Sequence, residues 1–157
     1  MKLNESLIKG VNISGQGGSE KKLAPLMSSV GFVRTSMPLY DFINHETGEK
    51  IEIKKQSGAQ WLDLSKYADM TDEDRKITMW FVMHNKGAID GIYSIKLGAF
   101  IDMLCEDPRY FSSGFDWSTI RDLARLRKKH KSLQTKAGVN IRKLILKEYP
   151  NSFNRLY

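Results

Sequence analysis

Two runs rich in β-branched and aromatic residues, Pro38-Leu39-Tyr40-Asp41-Phe42-Ile43 and Lys50-Ile51-Glu52-Ile53-Lys54, stand either side of Asn44-His45-Glu46-Thr47-Gly48-Glu49. The Asn and Gly between them favour a turn, so the pattern predicts a β-hairpin. If the turn pairs Ile43 with Lys50, the paired numbers keep a constant sum, and Asp41 faces Glu52 while Leu39 faces Lys54. Side chains alternate along a strand, which sends Ile51 and Ile53 one way and Glu52, Lys54 and Gln56 the other.

Like charges directly opposite in a sheet work against the fold, so Asp41 beside Glu52 calls for a compensating cation. Hard divalent ions such as Mg²⁺ take oxygen ligands and are usually held by one or two carboxylates together with phosphate. Lys54, two residues beyond Glu52, is placed to meet an attacking water or an anionic phosphate. The competing expectation is a solvated hairpin in which Glu52 and Lys54 face water as an ordinary surface ion pair.

The order of a helix with a glutamate, a strand with an aspartate and a strand with Glu-x-Lys resembles the PD-(D/E)xK nuclease superfamily. The matching residues are Asp41 and Glu52-Ile53-Lys54, with Glu20 upstream. The resemblance spans about Gly17 to Leu64. Tyr40 stands where the named motif has proline, and Pro38 lies two positions earlier. Asp63 and Glu49 are other acids nearby, and choosing either would change the metal assignment; Asp41 is preferred for its register with Glu52.

The resemblance implies a restriction-endonuclease-like α/β fold, with a mixed central sheet flanked by helices. It further implies Mg²⁺, with Mn²⁺ able to substitute, held by Asp41, Glu52 and the Ile53 carbonyl, and supported by Glu20. Lys54 would position or activate the water, and Gln56 would occupy an accessory position. The expected reaction is hydrolysis of a DNA phosphodiester by a restriction, phage or mobile-element type of endonuclease. One catalytic cluster per chain makes a homodimer the default for cutting both strands. No small-molecule cofactor is expected.

Charge points to the same partner. Ser118–Tyr157 carries 11 Lys and Arg against Asp122 and Glu148, a net of +9, whereas the first 117 residues carry 14 basic and 16 acidic groups, a net of −2. A basic segment beside a near-neutral one is the footprint of polyanion binding. Arg121, Arg125, Arg127, Lys128, Lys129 and Lys131 are the candidates for gripping a DNA or RNA backbone. Ile120, Leu123, Ala124 and Leu126 repeat at helical spacing, and Val139–Lys147 reads as a second amphipathic helix after a break at Gly138. The division expected is a catalytic core over 1–117 and a basic helical segment over 118–157 packed on the same domain. The runner-up function is a non-catalytic DNA- or RNA-binding protein that uses these helices alone.

The remaining signals are structural. Gly15-Gln16-Gly17-Gly18-Ser19 leads into a helix over Glu20–Val30 with Ser19 as its cap, and lacks the Gly-Lys-Ser/Thr ending of a P-loop. Ile77–Met83 and Gly91–Ile95 read as strands joined by a turn at His84-Asn85-Lys86-Gly87, extending the hairpin into a sheet of four or more strands. Leu97–Cys105 reads as a helix, with Cys105 a small hydrophobe. The one cysteine excludes an intramolecular disulfide and a Cys-rich zinc site. Trp61 is expected in an exposed loop, where stacking on a base is one possible role. There is no apolar run near 18 residues and no h-region at Met1–Glu5, so a cytoplasmic location without membrane insertion is expected.

Overall fold

The computed structural model describes residues 1–15, 18–56, 59–110, 118, 121–122, 125 and 136–157. Its sheet grows from the predicted hairpin. Phe42–Ile43 (β2) and Lys50–Gln56 (β3) are antiparallel, with Ile43 opposite Lys50 and Phe42 opposite Ile51, the register read from the sequence. Asn44 organises the turn: its Oδ1 accepts from the Glu46 and Thr47 amides, and Gly48 supplies the left-handed residue at φ 76°. The first strand is shorter than expected. Pro38–Asp41 lies outside β2, so the ladder stops before the expected pairs Asp41–Glu52 and Leu39–Lys54, although the Asp41 amide still donates to the Ile51 carbonyl at 2.8 Å.

Val33–Arg34 (β1) adds to the outer edge of β2. On the other side, Thr78–Asn85 (β5) runs parallel to β3, and Ala88–Lys96 (β6) returns antiparallel to β5. Lys86 and Gly87 both take positive φ, the geometry that a two-residue hairpin turn demands. With Asn154–Arg155 (β8) beside β6, the described residues form a mixed six-stranded sheet in the order β1-β2-β3-β5-β6-β8. The protein is therefore α/β.

Both faces of the sheet are covered, which explains why β5 is buried continuously from Thr78 to Met83. On one face, Leu23, Leu26 and Met27 of α2 (Ser19–Ser28), with Ile8 of α1 (Glu5–Lys9), pack against Ile51, Ile53, Trp80 and Val82. On the other, Phe100, Ile101 and Leu104 of α3 (Leu97–Glu106) cover Met79, Phe81 and Met83. Cys105 is fully buried in that second layer. Ser19 is not the cap of α2. Gly18 at φ 71° holds the N-cap position without a side-chain bond, and Ser19 is the first helical residue.

The chain beyond residue 135 is not a simple helical appendage. Lys136–Asn140 (β7) pairs antiparallel with Ala59–Asp63 (β4) as a two-stranded ribbon, so Val139 and Asn140 belong to a strand. Gly138, expected as a break, lies inside that strand. Helical structure begins only at Ile141–Lys143 and continues as a π-helical turn over Leu144–Glu148. Ala137, Val139, Ile141, Leu144, Ile145 and Phe153 all enter the α3-side core. A polar network pins this segment: Arg109 bonds Asp107 and Glu148, and the Tyr149 hydroxyl donates to Asp107 Oδ2 at 2.8 Å. The Arg109 guanidinium holds the Asp107 carboxyl down at about 2.

Candidate functional site

Asp41 sits at the mouth of the β2–β3 hairpin, where its side chain reaches across to the neighbouring strand. The Ile53 amide donates to Asp41 Oδ2 at 2.8 Å, fixing the carboxylate against the middle of β3. Burial pushes the Asp41 carboxyl above its ordinary range. The Ile53 amide opposes this; Glu52 and Glu20 raise it further, and Lys54 pulls it down. Four residues chosen from spacing and resemblance, Asp41, Glu52, Lys54 and Glu20, thus share one electrostatic neighbourhood. Glu20 is half-buried in the first turn of α2.

Glu52 is not a solvated residue. It is only 5% exposed, because its level in the sheet is shared with Met79 of β5 on the α3 side. A carboxylate so placed requires pairing. Its Oε1 receives Lys54 Nζ at 3.1 Å and Lys66 Nζ at 2.9 Å. The expectation of an ordinary surface ion pair fails on burial. The expectation that only a divalent cation relieves the acids also needs revising, since two lysines place two positive charges on Glu52.

Lys66 was not singled out from the sequence. It lies on a 3-10 turn, Leu64–Tyr67, opened by Asp63, whose Oδ1 accepts from the Ser65 amide at 3.0 Å. The 3-10 repeat of three puts Leu64 and Tyr67 together in the core and leaves Lys66 directed at β3. The apolar i, i+3 pair was visible in the sequence; the partner, 14 residues upstream, was not. Burial, with the Glu52 charge, also lifts the Tyr67 hydroxyl well above its usual range. The other candidate acids are engaged elsewhere, Asp63 in this cap and Glu49 with the Thr78 hydroxyl at 3.4 Å.

Gln56 ends the polar row of β3, level with Met83 and only 3% exposed, and among the described residues its Nε2 has no hydrogen-bond partner. Leaving a buried donor unpaired costs about 1–3 kcal/mol. The donor set tests the fit of a metal. Asp41, Glu52 and the Ile53 carbonyl are all oxygen ligands of the kind Mg²⁺ accepts, and Mg²⁺ ordinarily completes its shell with water and substrate phosphate. Among the described residues, no three His, Cys, Asp or Glu side chains form a cage that could hold a metal by themselves. The residues thus fit a partial, substrate-completed site.

The basic candidates divide. Arg121 Nε lies 3.5 Å from Asp122, and Arg125 Nε lies 3.8 Å from Asp69. Arg127, Lys128, Lys129 and Lys131 lie outside the described residues. Trp61 is exposed as expected, but on strand β4 rather than in a loop. His84 and Asn85, expected in the turn, belong to β5 just beyond a register shift, and His84 Nδ1 accepts from the Gly87 amide at 3.1 Å. Among the described residues, no helix is long and apolar enough to cross a membrane. No protein-family model matches the chain, and a comparison with curated proteins finds no match.

Proposed function

We propose that the chain is a Mg²⁺-dependent endonuclease of the PD-(D/E)xK kind, hydrolysing DNA phosphodiester bonds and working as a homodimer where both strands are cut. The observation that carries this reading is the convergence on Asp41 of Glu52, Glu20 and Lys54, with the Asp41 carboxylate fixed to the Ile53 amide. Asp41, Glu52 and the Ile53 carbonyl would hold the ion. When bound, it supplies positive charge for the scissile phosphate and lowers the pKa of a water.

The chain's own groups do the rest. Asp41 is kept in place by the 2.8 Å bond that its Oδ2 accepts from β3, which leaves Oδ1 for the ion. Lys54, 27% exposed along its side chain, can leave Glu52 for the incoming phosphate or the attacking water and offset developing negative charge. The unpartnered Gln56 amide offers a donor at the end of the same row. Lys66 keeps Glu52 neutralised when no substrate is present. The surplus of basic residues in the last 40 positions supplies sequence-independent affinity for the backbone.

Purified protein incubated with supercoiled plasmid and Mg²⁺ is expected to nick or linearise it, and EDTA to stop the reaction. Asp41→Ala is expected to abolish cutting, and Lys54→Ala to slow it by roughly 100- to 1,000-fold, the usual cost of losing one charge-stabilising donor. Undiminished cutting by both variants would overturn the mechanism. One observation favours a second reading, a nucleic-acid-binding protein without catalysis: Glu52 already has two cationic partners. That reading expects salt-sensitive DNA binding unchanged by EDTA and by Glu52→Gln, and no cleavage.

A further inference from the structure

The ribbon of β4 and β7 leaves the candidate site and comes back to it. It begins three residues after Gln56 ends β3, and the turn that follows β4 returns Lys66 to Glu52. Its inward face, Leu62, Ala137 and Val139, packs into the α3-side core. Its outward face carries Trp61, 72% exposed and directly opposite Gly138.

A large aromatic on a strand normally packs on its cross-strand neighbour, or folds over a glycine there to shield the backbone. Trp61 does neither. A Cβ at Gly138 would meet no atom of the described residues within 4 Å, so the indole is not laid across the glycine, and among the described residues the space beside it is open. Leaving an indole in water forfeits a substantial hydrophobic gain, which the fold does not recover with any large apolar side chain at Ala59, Gly138 or Asn140 on the same face. A protein-docking surface is built from a contiguous apolar patch of several hundred Å². One exposed ring on the ribbon's outward face suits instead a single planar group. The chain carries a net charge of +7, and two lysines flank the ribbon's roots at Glu52. A planar apolar group tethered to a polyanion is a nucleic-acid base.

We propose that Trp61, with the slot left by Gly138, is a stacking platform for an unpaired base of single-stranded DNA next to the candidate cleavage site. This rests on the reading that the chain acts on DNA, and it narrows the substrate to DNA with an unpaired nucleotide near the scissile bond. Lys66 lies five positions beyond Trp61, a span of at most about 17 Å when extended, which a few nucleotides bridge. Stacking tolerates any base, so the platform recognises strand state and not sequence.

The test measures binding by fluorescence anisotropy in EDTA, where cleavage is absent, using labelled oligothymidylate and a fully paired duplex. Wild type, Trp61→Ala, Trp61→Phe and Gly138→Val are compared, with thermal melts confirming that each variant is folded. Trp61→Ala is expected to weaken oligothymidylate binding by roughly 5- to 150-fold, the range for one base stacked on an aromatic ring, and duplex binding by less than about twofold. Trp61→Phe keeps most of the affinity but loses the tryptophan quenching seen on adding oligothymidylate. Gly138→Val, which fills the slot without touching the indole's chemistry, lowers single-strand affinity alone. The salt slope stays that of wild type, because a stacking contact releases no counterions.

Equal affinities for wild type and Trp61→Ala, or an equal loss on duplex and single strand, overturn the platform while leaving the nuclease reading intact. A shift in oligomeric state on Trp61→Ala without change in oligothymidylate affinity overturns it in favour of a second copy covering the ring. Absence of DNA binding by wild type removes both readings together.

Discussion

Replacing Lys66 with methionine separates the two roles that the structure allows for the Glu52 cluster. Lys66 Nζ lies 2.9 Å from Glu52 Oε1. At an effective dielectric constant of about 20, a unit charge pair at that separation is worth about 6 kcal/mol before solvation is counted. Most of this cancels against removing Glu52 from water and against screening of a lysine whose side chain is 38% exposed. Lys54 stays at 3.1 Å and continues to neutralise the acid. The net loss expected is about 1–2 kcal/mol, a fall in Tm of roughly 2–8 °C for a domain of this size. On the nuclease reading Lys66 also competes with the cation for Glu52, so its removal strengthens metal binding. A ligand at ten times its Kd adds about 1.4 kcal/mol to stability. Calorimetric melts at matched ionic strength, with and without MgCl2, should show a larger Mg²⁺-induced rise for Lys66→Met than for wild type, and no rise for Glu52→Gln. Equal responses of wild type and Lys66→Met, or an undiminished response of Glu52→Gln, would refute the competition.

Three further outcomes follow from individual contacts. Asp41→Asn keeps an acceptor for the Ile53 amide and removes a charge that burial, and then Glu52 and Glu20, disfavour, so it should stabilise the fold by about 0.2–1 kcal/mol at neutral pH and, on the nuclease reading, abolish cleavage. Because the folded pKa of Asp41 is raised, its contribution is fully present below the ordinary 3.8 and is lost as pH rises through the folded value; the advantage of Asn should therefore vanish in melts near pH 3. Gln56→Met removes the unpartnered buried amide and should raise Tm, by an amount equivalent to about 1–3 kcal/mol, while plasmid cutting falls. Asp107, held down at about 2, contributes stability that is present above 3.8 and lost as pH falls through about 2. Asp107→Asn should accordingly destabilise by about 2 kcal/mol at neutral pH and flatten the acid limb of the stability curve.

What could be read from the sequence depended on how far apart the interacting residues lie along the chain. The Ile43–Lys50 register was legible because a short turn fixes the sum of paired numbers, and the β5–β6 hairpin because two strand-like runs flank a short stretch with Asn85 and Gly87. The ribbon was not. Asp63 pairs with Lys136 across more than seventy residues, and the pattern of Ile141, Leu144 and Ile145 made Val139 and Asn140 look like the start of the helix that follows them. The burial of Glu52 was hidden for the same reason. Alternation in Lys50–Gln56 reads as a half-solvated antiparallel strand, and nothing local indicates that Met79, Phe81 and Met83 arrive in parallel on the polar side. Asp41, Glu52, Lys54 and Glu20 were singled out by spacing and resemblance, while Lys66 came from a partner choice that only the folded chain makes.

Burial also changes what the two lysines do at the site. An exposed Glu52 would gain little from Lys54 or Lys66, and losing either would be nearly silent. A Glu52 that is 5% exposed cannot release both without another positive charge taking their place. On the nuclease reading, a phosphodiester near the hairpin draws Lys54 and Lys66 outward, uncovers Glu52 and supplies an anionic ligand that the cation needs to complete its shell. DNA and metal affinity are then reciprocal by linkage, each strengthened in the presence of the other. The same ion pairs that let the fold stand without a metal would keep the acids from binding one until a substrate is in place.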